Sequence, residues 1–127
     1  MMDKPSLQEI LTSVREFIEL RAVPGLTGHA AFHARVAGNA LAIAERELSL
    51  GARADAAERG RLIALLNEDG SLSALNARLC AAIADRTIGL ETPGLAEHLR
   101  LTTLDKIAID QPAYSGARRA RELHEGG

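Results

Sequence analysis

Seven side chains of this sequence have the chemistry of a polar binding or catalytic pocket. Three of them fall in a stretch of helical period around residues 30–50, and four fall within or just after a second stretch around residues 92–110. Imidazole, guanidinium and amide groups facing hydroxyl, amine and carboxylate groups could hold a small polar ligand or transfer protons. The seven candidates are His33, Arg35, Asn39, Thr102, Lys106, Asp110 and Tyr114.

Asn39 and Lys106 stand out because each interrupts an apolar stripe. Asn39 lies within about 20° of a stripe that begins at Phe32, counted at the helical period. Lys106 interrupts a stripe of the second stretch, and Asp110 follows one turn later. A buried amide or charge needs a partner. We favour a structural network that fixes the register of the helices; the alternative is a ligand pocket.

Histidine, cysteine and tyrosine side chains could also react, but none of them lies in a specific motif. His29 and His33 are four residues apart, the spacing with which one helix face offers two imidazoles to a metal ion. We predict no metal site, because no motif marks a further ligand among Glu45, His98 and Asp110. Cys80 has no second cysteine and no basic cluster beside it, so we predict a buried, unreactive thiol. We also expect the ring of Tyr114 to be buried where it anchors the end of the chain.

The short motifs of nucleotide binding, nucleophilic hydrolysis, zinc peptidases and calcium loops do not occur in the sequence. We therefore assign no catalytic residue and expect no cofactor. A protein without enzymatic activity is the interpretation that we favour.

A central helix over roughly residues 30–50 must position the first three candidates. Its predicted buried stripe contains Phe32, Val36, Ile43 and Leu50, of which we expect Val36 and Ile43 to be almost fully buried. A helix that is apolar over half its circumference usually has neighbours on several sides. Gly51 is placed to end this helix. The arc of the helix surface that we predict to face solvent, its wet arc, consists of Arg35, Gly38, Glu45, Arg46 and Ser49.

The remaining helices follow from caps and breakers. Ser6 and Glu9 form a capping box for the first helix, and Asp55 is placed to open a third. Ser71 or Asp69 opens a fourth, and Thr92 with Pro93 opens a fifth that ends near Asp110. The sequence thus predicts an all-α fold, a single domain over residues 1–127 with about five helices around the central one. Residues from about 117 to 127 are predicted to form a flexible tail.

Composition restricts the partners. Aromatic residues are only 2% of the chain and the net charge is −2, so neither a base-stacking surface nor a strong positive field is present to attract nucleic acid or an anionic membrane. A single cysteine and an N-terminus without a signal-peptide core predict a cytoplasmic protein. No run reaches the roughly 20 apolar residues of a membrane span.

Two long motifs resemble an uncharacterised family of small bacterial helical proteins, a domain of unknown function. They are AFHARVAGNALAIAERELSLG at residues 31–51 and HLRLTTLDKIAIDQPAYSG at residues 98–116, with support from LSALNARLCAAI and LQEILTSVREFIE. Such proteins tend to be encoded beside aminoglycoside-phosphotransferase-like kinases and acyl-CoA dehydrogenases. The resemblance implies a small accessory protein near such chemistry, and it implies that this chain is not the kinase.

Two hypotheses therefore stand. The leading one is a helical accessory or interaction protein, with a kinase-like or acyl-CoA-metabolising protein as partner, or with a second copy of the chain covering residues such as Leu41 and Leu48. The alternative is a small ligand-binding protein or enzyme with a polar pocket between the second and fifth helices. The second requires the seven candidate side chains to converge on one cavity.

Overall fold

The computed structural model of the protein describes residues 3–126, and every regular element within them is helical. The five long helices are α1 (Leu7–Phe17), α3 (Gly28–Leu66), α4 (Leu72–Ala84), α5 (Leu95–Asp110) and α6 (Ser115–Glu125). A π-helical turn (Ile18–Ala22) and a single turn, α2 (Val23–Gly25), lie between α1 and α3. The predicted all-α class is confirmed.

The chain divides into two compact units, an N-terminal unit of residues 1–50 and a C-terminal unit of residues 51–127. The N-terminal unit contains α1, the π-helical turn, α2 and the first part of α3, and the C-terminal unit contains the rest. That residues 1–127 form a single domain stays a prediction, and Met1, Met2 and Gly127 lie outside the described residues.

The capping box predicted for the first helix is present. The Ser6 hydroxyl accepts a hydrogen bond from the Glu9 N–H at 3.2 Å, and the Glu9 carboxylate accepts one from the Ser6 N–H at 2.6 Å. These two bonds satisfy two of the donors that every helix N-terminus leaves unpaired. α1 therefore begins where the sequence predicts.

The predicted central helix at 30–50 is longer than expected, because α3 runs without a break from Gly28 to Leu66. The expected C-cap at Gly51 and the expected new start at Asp55 are wrong. Gly51 is helical and does not adopt the left-handed conformation that a glycine cap requires. The alanine-rich stretch that follows it has a high helix propensity, which carries the helix on.

The face of α3 that packs within the N-terminal unit is not the predicted one. Phe32 is 58% exposed and Val36 is 49% exposed, whereas Gly38 and Glu45 of the predicted wet arc are buried. Gly38 makes a close contact there, since a Cβ at this position would lie 3.3 Å from the Glu19 side chain. Apolar periodicity alone predicts a buried stripe, but here a small residue and a paired carboxylate make the contact.

The C-terminal unit has a compact apolar core between the end of α3, α4 and the start of α5. Leu62 is fully buried and Leu75 is 2% exposed. The core also contains Leu79, Ala82, Ile88 and Leu95. Ser71 caps α4 by accepting a hydrogen bond from the Ala74 N–H at 3.1 Å, which confirms one of the two predicted caps.

The start of α5 and the end of the chain differ from the prediction. Thr92 and Pro93 belong to a turn in which the Thr92 hydroxyl accepts a hydrogen bond from the Gly89 N–H, and α5 begins only after Gly94, whose φ is 91°. That left-handed conformation favours glycine. Residues 115–125 form the helix α6, which includes most of the predicted tail, and the flexibility of this tail stays a prediction.

Candidate functional site

A buried histidine is the centre of the polar cluster in the C-terminal unit. His98 projects inward from α5 and is 2% exposed. Its Nδ1 atom accepts a hydrogen bond from Arg61 Nε at 3.4 Å. Burial lowers the pKa of His98 below its ordinary 6.5, and the positive charge of Arg61 lowers it further, while Glu58 opposes the shift. The imidazole is therefore neutral near pH 7, with its proton on Nε2.

Arg61 connects α3 to three residues of α5. Besides the bond to His98, its Nη2 atom donates to the Thr102 hydroxyl at 3.0 Å and lies 3.8 Å from the Asp105 carboxylate. The planar guanidinium suits such a cluster because its N–H groups point in fixed directions. This arrangement is a partly buried polar network between α3 and α5, and of the residues predicted to form a network it contains Thr102 alone.

A second polar cluster lies in the N-terminal unit around Glu45 of α3. Its carboxylate accepts a short hydrogen bond from the Thr12 hydroxyl and a bond from Arg15 Nε at 2.5 Å. Arg15 also donates to Glu19 at 3.0 Å. The bonds from Thr12 and Arg15 hold the pKa of Glu45 below its ordinary 4.5. Glu45 is thus an anion that links α1 to α3, which is a structural role.

The residues predicted to form one polar pocket fall into both units. His33, Arg35 and Asn39 are exposed side chains of the N-terminal unit, whereas the other four belong to the C-terminal unit. A single pocket that contains all seven therefore stays a prediction. Among those four, only Thr102 takes part in the Arg61 cluster.

Lys106 and Asp110 are both exposed in α5. The expectation that a pair of buried charges interrupts this stripe is therefore wrong. The residues of α5 that are buried or that contact Arg61 are instead Leu95, His98, Thr102 and Asp105.

Tyr114 and Cys80 are also more exposed than predicted. Tyr114 is 53% exposed, and Cys80 is exposed on α4. The Tyr114 ring lies so close to Gly116 that a Cβ there would be 2.6 Å from it. Tyr114 borders an open apolar groove of about 420 Å³ between α5 and α6, together with Arg100 and Thr103.

Sequence reasoning missed the role of Arg61 altogether and treated His98 only as a candidate metal ligand. The polar residues of the cluster follow Leu95 at offsets of three, seven and ten, which is a helical spacing, so α5 carries a recognisable signal. Arg61 carries none, because an arginine next to the core residue Leu62 looks like any exposed residue in the sequence. Within residues 3–126, no three His, Cys, Asp or Glu side chains are grouped so as to hold a metal ion.

The N-terminal unit displays many large apolar side chains on its surface. On α3, Phe32, Val36 and Leu50 are 58%, 49% and 41% exposed, and they lie on one stripe by the helical period. The preceding segment adds Phe17 and Leu20 at 62% and 68%. Ile43, which is predicted to be almost fully buried, lies on the same stripe and is only half-buried. We call the stripe of Phe32, Val36, Ile43 and Leu50 the Phe32 face.

The chain is thus an all-α protein in which two partly buried polar clusters join helices and one stripe of α3 exposes large apolar side chains. More specifically, the chain belongs to the family described as domain of unknown function (DUF6285), whose model matches residues 24–114. This range includes all of α3, α4 and α5 and the whole Arg61 cluster. No curated protein and no solved structure matches the chain. Among the described helices, none has both the length and the apolar character needed to cross a membrane.

Proposed function

We propose that this protein is a cytoplasmic accessory protein that binds another protein through the Phe32 face of its N-terminal unit. The observation that carries the proposal is the exposure of that face, where Phe32 is 58% and Val36 is 49% accessible to solvent. Exposed apolar side chains that are aligned along one helix stripe are typical of an interaction site, although the exposed Asn39 interrupts this stripe. Scattered single apolar residues would need no such explanation.

The composition of the N-terminal unit supports the proposal. Among its described residues, 3–50, the only hydrophobic side chain that is buried is Ala31. Its helices are held together by the Gly38 contact and by the Glu45 cluster. Covering the Phe32 face with a partner removes apolar surface from water, which is favourable at about 25 cal/mol per Å².

The partner that we propose is a phosphotransferase-like kinase or an acyl-CoA-metabolising enzyme, as the family resemblance implies. The contact surface on such a partner is an apolar helical groove or face, because the Phe32 face offers apolar anchors spaced four and seven residues apart, as Phe32 and Val36 and then Val36 and Ile43 are. The exposed side chains of His33 and Arg35 flank the anchors and supply polar contacts at the rim.

Light scattering of the purified chain, alone and mixed with each candidate enzyme, tests this proposal. We expect a complex with one of the two enzymes, and we expect Phe32→Glu to abolish it by placing a charge in the centre of the contact. Leu90→Glu is the matched control, because Leu90 is 86% exposed and lies in the C-terminal unit. If the chain binds neither enzyme, or if the Phe32→Glu variant binds as tightly as the parent, the proposal is contradicted. If the chain alone forms a dimer and Phe32→Glu dissociates it, the partner at the Phe32 face is a second copy of the chain rather than an enzyme.

The alternative function is ligand binding, and the groove between α5 and α6 favours it. Its volume of about 420 Å³ lies in the range of small-molecule sites, and Tyr114, Arg100 and Thr103 place polar atoms along its apolar walls. Native mass spectrometry of the purified chain tests this alternative. If a small molecule is bound to the parent protein and is lost in Tyr114→Ala, the ligand-binding function is supported. If the purified protein carries no small molecule, it is not.

A further inference from the structure

A second, smaller cavity lies in the C-terminal unit beside His98. Its volume is about 220 Å³, and it is bordered by the last turns of α3 and the first turn of α5. Pockets for drug-sized ligands are larger, roughly 300–1,000 Å³. The cavity therefore suits a molecule of only a few heavy atoms.

His98 offers a hydrogen-bond donor that nothing in the described protein accepts. Its Nδ1 atom is occupied by Arg61, so the proton of the neutral ring is on Nε2. Nε2 makes no hydrogen bond within residues 3–126. No fully buried side-chain nitrogen or oxygen of the described residues is left without a partner. Nε2 must therefore keep some accessible surface although the residue is 2% exposed, and His98 is one of the residues that border the cavity.

Arg61 adds positive charge and further donors at the same wall. Only Nε and Nη2 are used in hydrogen bonds, to His98 and Thr102. Within the described residues, the two N–H groups of Nη1 make no hydrogen bond. Asp105, at 3.8 Å from Nη2, balances the charge only in part. A guanidinium with free N–H groups is the preferred protein group for planar oxyanions.

The N-terminus of α5, like Arg61, contributes positive charge at the cavity. Pro93 and Gly94 border the cavity, and Gly94 caps the helix without any side-chain hydrogen bond. The N-terminus of a 16-residue helix carries partial positive charge and favours an anion. The one carboxylate at the rim, Glu97, is held by Arg100 through bonds of 2.9 and 2.8 Å, which offsets its negative charge.

The rest of the wall is apolar and is formed by Ala64, Leu65 and Pro93. We propose that this cavity binds a small carboxylate with a short alkyl chain. The carboxylate oxygens accept hydrogen bonds from His98 Nε2 and Arg61, and the alkyl chain lies against the apolar wall. This site is independent of the Phe32 face, which belongs to the other unit.

Nuclear magnetic resonance of the full, ¹⁵N-labelled chain tests the site, with sodium acetate, propionate, butyrate and octanoate as probes at constant ionic strength and pH 7.5. We expect saturable shifts of the His98 ring Nε2–H signal and of the amides of residues 94–98. Affinity should rise from acetate to butyrate, since each buried methylene contributes, and fall for octanoate, which exceeds the cavity. Equal shifts with sodium chloride, or an affinity that does not depend on chain length, overturn the proposal.

Arg61→Gln and Arg78→Gln provide matched variants. Both remove one arginine of the C-terminal unit, but Arg78 pairs with Glu68 away from the cavity. We expect Arg61→Gln to weaken propionate binding by about tenfold or more, because a charge-assisted hydrogen bond is lost, and Arg78→Gln to leave it unchanged. Equal weakening in both variants overturns the site. If Arg61→Gln does not fold, the chain-length series on the parent protein decides alone.

Discussion

Replacing Leu62 by alanine measures how much the C-terminal unit depends on its small core. Leu62 is fully buried, and among the described residues its core cluster has only five other buried members. The change removes three carbon atoms, which at about 0.8 kcal/mol per methylene is roughly 2.4 kcal/mol of transfer free energy. The cavity that remains adds to this loss, and leucine-to-alanine changes in other cores total about 3–5 kcal/mol. With a urea m-value of about 1–3 kcal/mol/M, the midpoint should fall by on the order of 2 M.

Urea denaturation followed by circular dichroism measures this shift, since the chain has no tryptophan. Leu90→Ala is the matched control, because the same atoms are removed from a side chain that is 86% exposed. Its free energy of unfolding should change by less than about 0.5 kcal/mol. If Leu62→Ala and Leu90→Ala denature at the same urea concentration, Leu62 is not in a packed core and the assignment of the core is refuted.

Three further perturbations address single features. Gly60→Ala should raise the free energy of unfolding by about 1 kcal/mol in thermal denaturation, because Gly60 lies inside α3 and a Cβ there meets nothing within 4 Å; a lower melting temperature would contradict this. The pKa of His98 is below 6.5 in the folded protein, so unfolding takes up a proton and the free energy of unfolding should fall as pH drops below 6.5. His98→Gln should reduce this dependence of stability on pH between pH 7.5 and 5, and an unchanged dependence argues against the burial of His98. The pKa of Glu45 is held below 4.5, so its contribution to the free energy of unfolding is present above pH 4.5 and is lost as pH falls through the folded pKa. Glu45→Gln should therefore be less stable than the parent at pH 7, by a difference that shrinks in acid; a difference that does not depend on pH contradicts the Arg15 pairing.

Local hydrogen-bonding signals predicted parts of the fold accurately. The capping box at Ser6 and the cap at Ser71 occur where the sequence places them, because each depends on residues within three positions. The continuation of α3 past Gly51 could not be predicted with the same rules. A glycine stops a helix only if its backbone turns left-handed, and that choice depends on the residues packed around it rather than on glycine itself.

The buried faces were harder to predict because polar residues take part in them. Glu45 is buried between Thr12 and Arg15, and those partners lie 30 or more residues away in the sequence. A hydrophobicity pattern treats such a carboxylate as exposed, and it treats Phe32 as buried. The pairing of Arg61 with His98 is equally distant, so no local signal could connect them.

The exposure of Cys80 bears on any measurement of the chain's association state. The protein has one thiol, and it lies on the accessible side of α4. In air, two chains can therefore join through a disulfide that has nothing to do with the Phe32 face, and a reductant or Cys80→Ser separates the two kinds of dimer. The same thiol gives a single, defined attachment point for a fluorophore or a spin label on the C-terminal unit. Distances measured between labels at this position would then report on pairing of whole chains without a second engineered cysteine.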